Sequence, residues 1–227
     1  MKITTWNVNS LTARLGRAEA WLRANQSDVL CLQELKLETN KFPHEMFAAL
    51  GYRAAVYGQK TYNGVAIIVK NTLPEFADVQ MGVPGFEDEQ CRAIAATVGD
   101  VRVIDLYVVN GQAVDSDKFQ YKLRWLDAVS AWLAEERAKH PKLVVVGDFN
   151  IAPTDADVHD PAAWAGQVLC TDQERAAFNH WLSLGLVDCF RKFEHPPKSF
   201  SWWDYRMLAL PKNNGLRIDH ILATPAL

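Results

Sequence analysis

Short apolar runs alternate along the chain with stretches whose apolar residues recur at helical spacing. Residues 2–8 form a run that stops at Asn7 and Asn9, the pattern of a strand. In 15–25, Leu15, Ala18, Trp21 and Leu22 fall on one face of a helix. Residues 28–33 predict a buried strand, and 64–70 (GVAIIVK) is apolar on both faces, so its sheet is covered on both sides. Residues 93–98 and 101–109 flank Gly99-Asp100, a hairpin turn signal. The longest helix spans 117–140, with Phe119, Leu123, Leu126, Val129 and Leu133 along one stripe. Residues 142–146 read as another buried strand, 173–184 as a helix and 217–223 as a last strand. Mixed strands with helices outside them predict an α/β layered sandwich rather than a purely parallel doubly wound sheet.

The 227 residues, 49% of them hydrophobic, suffice for the core of a single domain, and no low-complexity tract, charge block or long linker interrupts them. A net charge of −3 argues against a protein that coats nucleic acid through bulk charge. It leaves open an enzyme whose positive charge is local and supplemented by a metal ion. Cysteines at 31, 91, 170 and 189 show neither CxxC nor zinc spacing, and Cys31 and Cys189 read as small buried hydrophobes. The N-terminus has no apolar signal region and no apolar stretch reaches membrane length, so the expectation is a soluble, cytoplasmic protein.

Several polar residues interrupt these apolar runs at strand ends. In Leu30-Cys31-Leu32-Gln33-Glu34, alternation places Glu34 on the face of Leu30 and Leu32, where a carboxylate needs a partner, a metal or water. A solvated strand end is the competing explanation. In Lys142-Leu-Val-Val-Val-Gly147-Asp148-Phe149-Asn150, extended backbone would send Asp148 and Asn150 to the same side, a carboxylate beside an amide, able to orient water and a phosphate oxygen together. A strand followed by Gly-Asp is also a common turn. Asp219 lies in an apolar stretch, where Arg217, two residues away, is a candidate ion-pair partner, and His220 points to the opposite face as a core histidine. With Asn7 these residues make two amides and three carboxylates, a hard-oxygen set suited to Mg²⁺ or Mn²⁺ rather than zinc. No P-loop, GxGxxG or Gly-x-Ser-x-Gly motif is present. Arg92, Lys118, Lys122 and Arg206 are candidate phosphate contacts. Trp202-Trp203-Asp-Tyr-Arg suits a sugar or an unstacked nucleotide, with Trp203 expected in the core.

Thr5-Trp-Asn7-Val-Asn9, Leu32-Gln-Glu34-Leu-Lys36, Gly147-Asp148-Phe-Asn150-Ile-Ala-Pro153, Phe200-Ser-Trp202-Trp203-Asp-Tyr-Arg206 and Leu216-Arg-Ile-Asp219 resemble the exonuclease III group of the endonuclease/exonuclease/phosphatase superfamily. The match runs in order along the chain, and the Gly147 and Trp202 segments favour the DNA-repair branch. The resemblance implies a four-layer α/β/β/α sandwich of deoxyribonuclease I type, with two mixed sheets face to face and helices outside. It also implies a Mg²⁺-dependent phosphodiesterase (Mn²⁺ as substitute) acting on double-stranded DNA with abasic sites or 3′-blocked ends, as a monomer and away from membranes. By the same resemblance Glu34 is the principal metal ligand with Asn7 beside it. Asp148 orients or deprotonates the attacking water, while Asn150 and Tyr107 contact the scissile phosphate. Asp219 orients a catalytic histidine, Trp202 meets the sugar or the gap of a missing base, and Arg92, Lys118 and Arg206 meet phosphates.

One departure stands out. The group carries a further strand behind a Ser-Asp-His loop, and none of the six histidines here stands in such a motif. The expectation is a single domain recorded in a shortened form. Two other readings stay open at this point: a catalytically silent nucleic-acid-binding or regulatory relative, and a small-molecule or lipid phosphatase.

Overall fold

The computed structural model describes residues 1–227, and its elements follow the alternation of the sequence. The first sheet is built from β1 (Ile3–Asn7), β2 (Val29–Gln33), β3 (Tyr52–Tyr57) and β4 (Val65–Lys70), in the order β1-β2-β4-β3. Its outer face is covered by α1 (Leu11–Asn25), capped by Ser10, and by the short α2 (His44–Ala49). The second sheet contains β5 (Phe76–Met81), β6 (Ala93–Val98), β7 (Val101–Tyr107) and β8 (Leu143–Asp148). A long helix α3 (Asp117–Lys139) and two smaller ones, α4 (Pro161–Trp164) and α5 (Asp172–Ser183), precede its last strands. These are β9 (Val187–Asp188) and, after the ribbon β10 (Trp202–Trp203) and β11 (Gly215–Leu216), β12 (Asp219–Ala223). The sheet order is β5-β6-β7-β8-β12-β9.

Side-chain alternation divides the core of the two sheets into three bodies, and a fourth, smaller cluster lies under the ribbon of β10 and β11. Residues such as Leu30, Leu32, Ala66 and Ile68 face α1 and α2. Ile104, Leu106, Val145 and Leu143 face α3 and α5 through Trp125, Leu126, Val129 and Trp181. Between the sheets, Val29, Cys31, Val65 and Ile67 meet Ile94, Val103, Val144 and Val146. The molecule is therefore a four-layer α/β/β/α sandwich of two mixed sheets. The doubly apolar reading of 64–70 follows from this: β4 is covered by helices on one side and by the other sheet on the opposite side. Cys31 is fully buried as expected, whereas Cys189 is only half-buried because it opens a short turn after β9. No helix is long and apolar enough to cross a membrane.

Gly147 sets the path of β8 into the site. Its φ is +137°, and a Cβ there would stand 1.9 Å from the Leu106 carbonyl oxygen on the neighbouring strand. Only glycine fits that approach. Gly147→Ala is expected to destabilise the fold by about 3 kcal/mol, since neither backbone can yield without disturbing β7. Urea denaturation checks this, and a loss below about 1 kcal/mol would show that the two strands separate easily.

Candidate active site

Five strand ends meet at one rim of the sandwich. Asn7 ends β1, Glu34 follows β2, Tyr107 ends β7 and Asp148 ends β8. Because β12 runs antiparallel to β8, its first residue reaches the same rim, and Asp219 stands directly across from Asp148. Tyr107 is the register partner of Asp148 on its other side. These residues, with Asn150, line a cavity of about 1100 Å³ whose outer wall includes Trp202, Trp203, Tyr205 and Arg206.

Asn7 joins the two sheets at this rim. Its amide nitrogen donates to Glu34 Oε1 at 2.8 Å and to Asp148 Oδ2 at 2.9 Å, while its oxygen accepts from the Asn9 N–H at 2.9 Å. Asp148 Oδ1 accepts from the Asn150 N–H at 2.9 Å. The Asn150 side chain is fixed in turn, donating to the Val108 carbonyl at 2.9 Å and accepting from Asn110 at 3.2 Å.

The charges are unequal in character. Burial pushes Glu34 up, but the Asn7 amide and the Lys36 ammonium, 3.0 Å from Oε2, outweigh it and hold the carboxyl below its usual range. Burial pushes Asp148 up to about 6, and the Glu34 charge adds to this against the hydrogen bonds from Asn7 and Asn150. Asp219 is pushed well above the carboxylate range by burial and by Asp148 facing it, with only Ser201 in opposition. The Tyr107 phenol is raised by burial and by the Glu34 and Asp148 charges, so it keeps its proton at neutral pH. Opposed carboxylates on paired strands repel each other, and such pairs gather where a proton or a cation is to be received.

The residues expected from sequence come together, but several by a different route. Glu34 does not share the outward face of Leu30 and Leu32. Its backbone turns left-handed (φ +54°), which ends the alternation and swings the carboxylate to Asn7. Asn150 also adopts φ +47°, so it reaches the cavity beside Asp148 through a turn rather than along extended backbone. Asn7 presents its amide nitrogen to the two carboxylates and uses its oxygen locally, so it bridges the two acids. Arg217 does not pair with Asp219. It binds Asp157 at 2.6 Å and Asp188 at 2.7 Å, because the chain bends between β11 and β12 and the alternation does not run through. His220 points away as expected: its Nε2 donates to the Ile151 carbonyl at 2.8 Å, and burial with the Arg217 charge lowers it to about 4. None of the six histidines lines the cavity.

The proposed phosphate contacts divide. Arg206 is exposed on the cavity wall, paired with Asp204 at 2.8 Å. Arg92 lies outside the lining, its guanidinium 4.8 Å from the Tyr107 ring centroid, where it packs behind the phenol. Lys118 is exposed on the first turn of α3, away from the cavity. Lys122 is buried and contacts no solvent. Trp203 is not core: both tryptophans are half-buried and line the cavity, with Trp203 Nε1 donating to Asn213 at 3.0 Å. Sequence reasoning missed Asn110, although the Asn-Gly turn signal directly after β7 marks it. It also missed Ser201, whose hydroxyl accepts from the Ile218 and Asp219 N–H groups at 3.0 Å.

A sheet-on-sheet sandwich with acids and amides at its strand ends defines a class of hydrolytic sites. The chain belongs to the Endonuclease/Exonuclease/phosphatase family, which it matches over residues 4–227. Exodeoxyribonuclease III of Haemophilus influenzae is 35% identical over 240 residues, covering all of this chain and 89% of that protein. Among solved structures, the 3′ phosphatase NExo from Neisseria, bound to a product DNA hairpin, has a TM-score of 0.96 at 47% identity over 100% of this chain and 87% of that one. An AP endonuclease from Archaeoglobus fulgidus has a TM-score of 0.92 at 37% identity over 100% and 88%.

Proposed function

We propose that the chain is a divalent-metal-dependent DNA-repair phosphodiesterase, cleaving at abasic sites, trimming blocked or free 3′ ends, or both, and acting as a monomer. The observation that carries this reading is the rank of Tyr107, Asp148 and Asp219 side by side on three paired strands, bridged through Asn7 to Glu34. The names of the relatives support the DNA substrate.

The donor set fits a hard cation. Glu34, Asp148 and Asp219 crowd one cavity wall, and the one ammonium paired with them is that of Lys36 on Glu34. No three His, Cys, Asp or Glu side chains stand close enough to cage an ion by themselves. That matches Mg²⁺, which retains waters and takes substrate oxygens beside one or two carboxylates. Glu34 would hold the ion, which when bound neutralises charge developing on the phosphate.

The chain's own groups do the rest. Asp148, raised by burial and by the Glu34 charge, is basic enough to take a proton from the attacking water. Asn150, with one amide N–H left after Val108, and the protonated Tyr107 donate to phosphate oxygens. Asp219 stands directly opposite Asp148 across the strand pair. Trp202 rests on Val158, Leu169, Leu216 and Ile218, an apolar floor suited to a sugar without its base.

The test is a duplex bearing one abasic analogue, incubated with Mg²⁺ or with EDTA, beside Glu34→Ala. Incision is expected with Mg²⁺, none with EDTA, and a loss of about 10²-fold in the variant. Incision that survives EDTA overturns the metal assignment, and a wild-type chain that cuts nothing overturns the enzymatic reading.

A further inference from the structure

Lys122 is left unused by this chemistry, yet it is fully buried. A buried ammonium is unfavourable unless every proton finds an acceptor. This one has three: the Asn110 carbonyl at 3.1 Å, the Asn150 carbonyl at 2.7 Å and the Glu174 carboxylate. Glu174 is itself fully buried and also accepts from the Leu169 and Thr171 N–H groups at 3.0 Å and from the Thr171 hydroxyl at 2.7 Å. The ammonium thus ties the loop after β7 to the loop after β8 and anchors both to the start of α5. Those are the loops that present Asn110 and Asn150, whose side chains also bond to each other.

A buried ion pair adds little to stability compared with well-packed apolar residues, so its value lies in direction. Apolar side chains would fill the space between α3 and α5. They would not hold two carbonyls at fixed positions, one of them belonging to a residue in the left-handed region.

We propose that Lys122 is a positioning residue, clamping the Asn110 and Asn150 carbonyls so that their side-chain amides stand fixed at the cavity. It touches no substrate, and the proposal rests on the phosphodiesterase reading above. Displacement of a catalytic amide by about 1 Å costs on the order of 10²-fold in rate.

The experiment compares Lys122→Met, which leaves Glu174 buried without its cation, with the double variant Lys122→Met/Glu174→Gln, which removes both charges and keeps the caps on α5. Lys122→Met is expected to lower kcat about 10²-fold with KM changed less than about twofold. The double variant, whose glutamine oxygen can still accept from Thr171 but not also from the Leu169 N–H, should regain part of the lost melting temperature but not the lost kcat. Recovery of kcat to within about threefold of wild type, or a loss confined to KM, overturns the proposal. Hydrogen exchange over 108–112 and 149–152 reads the clamp without turnover, and should speed up in both variants. Unchanged exchange sinks the clamp. Faster exchange in variants of a chain whose wild type cleaves no DNA keeps the clamp and sinks the phosphodiesterase reading instead.

Discussion

Asp148→Asn is expected to lower turnover on abasic duplex by about 10³- to 10⁴-fold, at the upper end of what loss of a general base costs. The substitution removes a carboxylate that ties the two sheets together at the cavity, through Asn7 on β1 and the Asn150 N–H beyond β8. An amide fits the same space and can still accept from the Asn150 N–H, but it cannot take a proton from water. Stability should move the other way. Asp148 is buried, faces Asp219 across the strand pair and stands near Glu34; burial and the Glu34 charge make its own charge unfavourable, and that charge in turn raises Asp219. Neutralising it relieves Asp219 as well, so the melting temperature at pH 8 should hold or rise while activity collapses. Single-turnover kinetics and thermal melts on one preparation check both halves. A fall in activity accompanied by an equal loss of stability would show that Asp148 is structural.

The acids of this site were legible because they stand where apolar runs stop. Asp148 closes a strand buried on both faces, Asp219 opens the strand paired with it, and the register of β7, β8 and β12 turns three chain positions into neighbours. Their directions were not legible. Alternation sends Glu34 outward, and the left-handed turn that reverses this leaves no mark in a Glu-Leu-Lys sequence. Asn150 is different, since asparagine tolerates that conformation and a turn there was open from sequence. Lys122 was hidden for another reason: among the many charged residues of α3, nothing local separates a lysine facing solvent from one facing Glu174, which lies 52 positions further on.

The fold shows the same division. Central strands such as β4 and β8 are buried throughout and read directly from their apolar runs. Of the strands absent from the sequence reading, β3, β5 and β9 are outer members of their sheets, and β5 in particular is mostly exposed and polar. An edge strand needs only one covered partner, so its pattern is diluted. The ribbon of β10 and β11, two residues a side, owes its existence to packing of Trp202 on Leu216 and Ile218 rather than to propensity.

Asp105→Asn is expected to stabilise the protein, and by more as pH rises. Asp105 lies on β7 facing the first sheet, fully buried, with its Oδ1 2.6 Å from the Gln33 amide nitrogen. Its other oxygen and Gln33 Oε1 have no partner. Burial pushes the carboxyl well above its usual range, opposed only by the Gln33 amide and the Ala66 N–H. The sign follows directly. A carboxyl whose pKa is higher in the folded chain takes up a proton on folding, so its contribution is intact below its unfolded value near 4 and is lost as pH rises toward the folded value. The loss is about 1.4 kcal/mol per pH unit within that window. Asparagine carries no proton to lose, and its amide nitrogen can donate to the orphaned Gln33 oxygen while its own oxygen accepts from the Gln33 amide. Urea denaturation of both proteins from pH 5 to 8 reads the gap. It should be smallest at pH 5 and widen upward. A gap that stays constant would mean that Asp105 titrates no differently in the folded and unfolded chains, and a gap that narrows would place a compensating cation beside it.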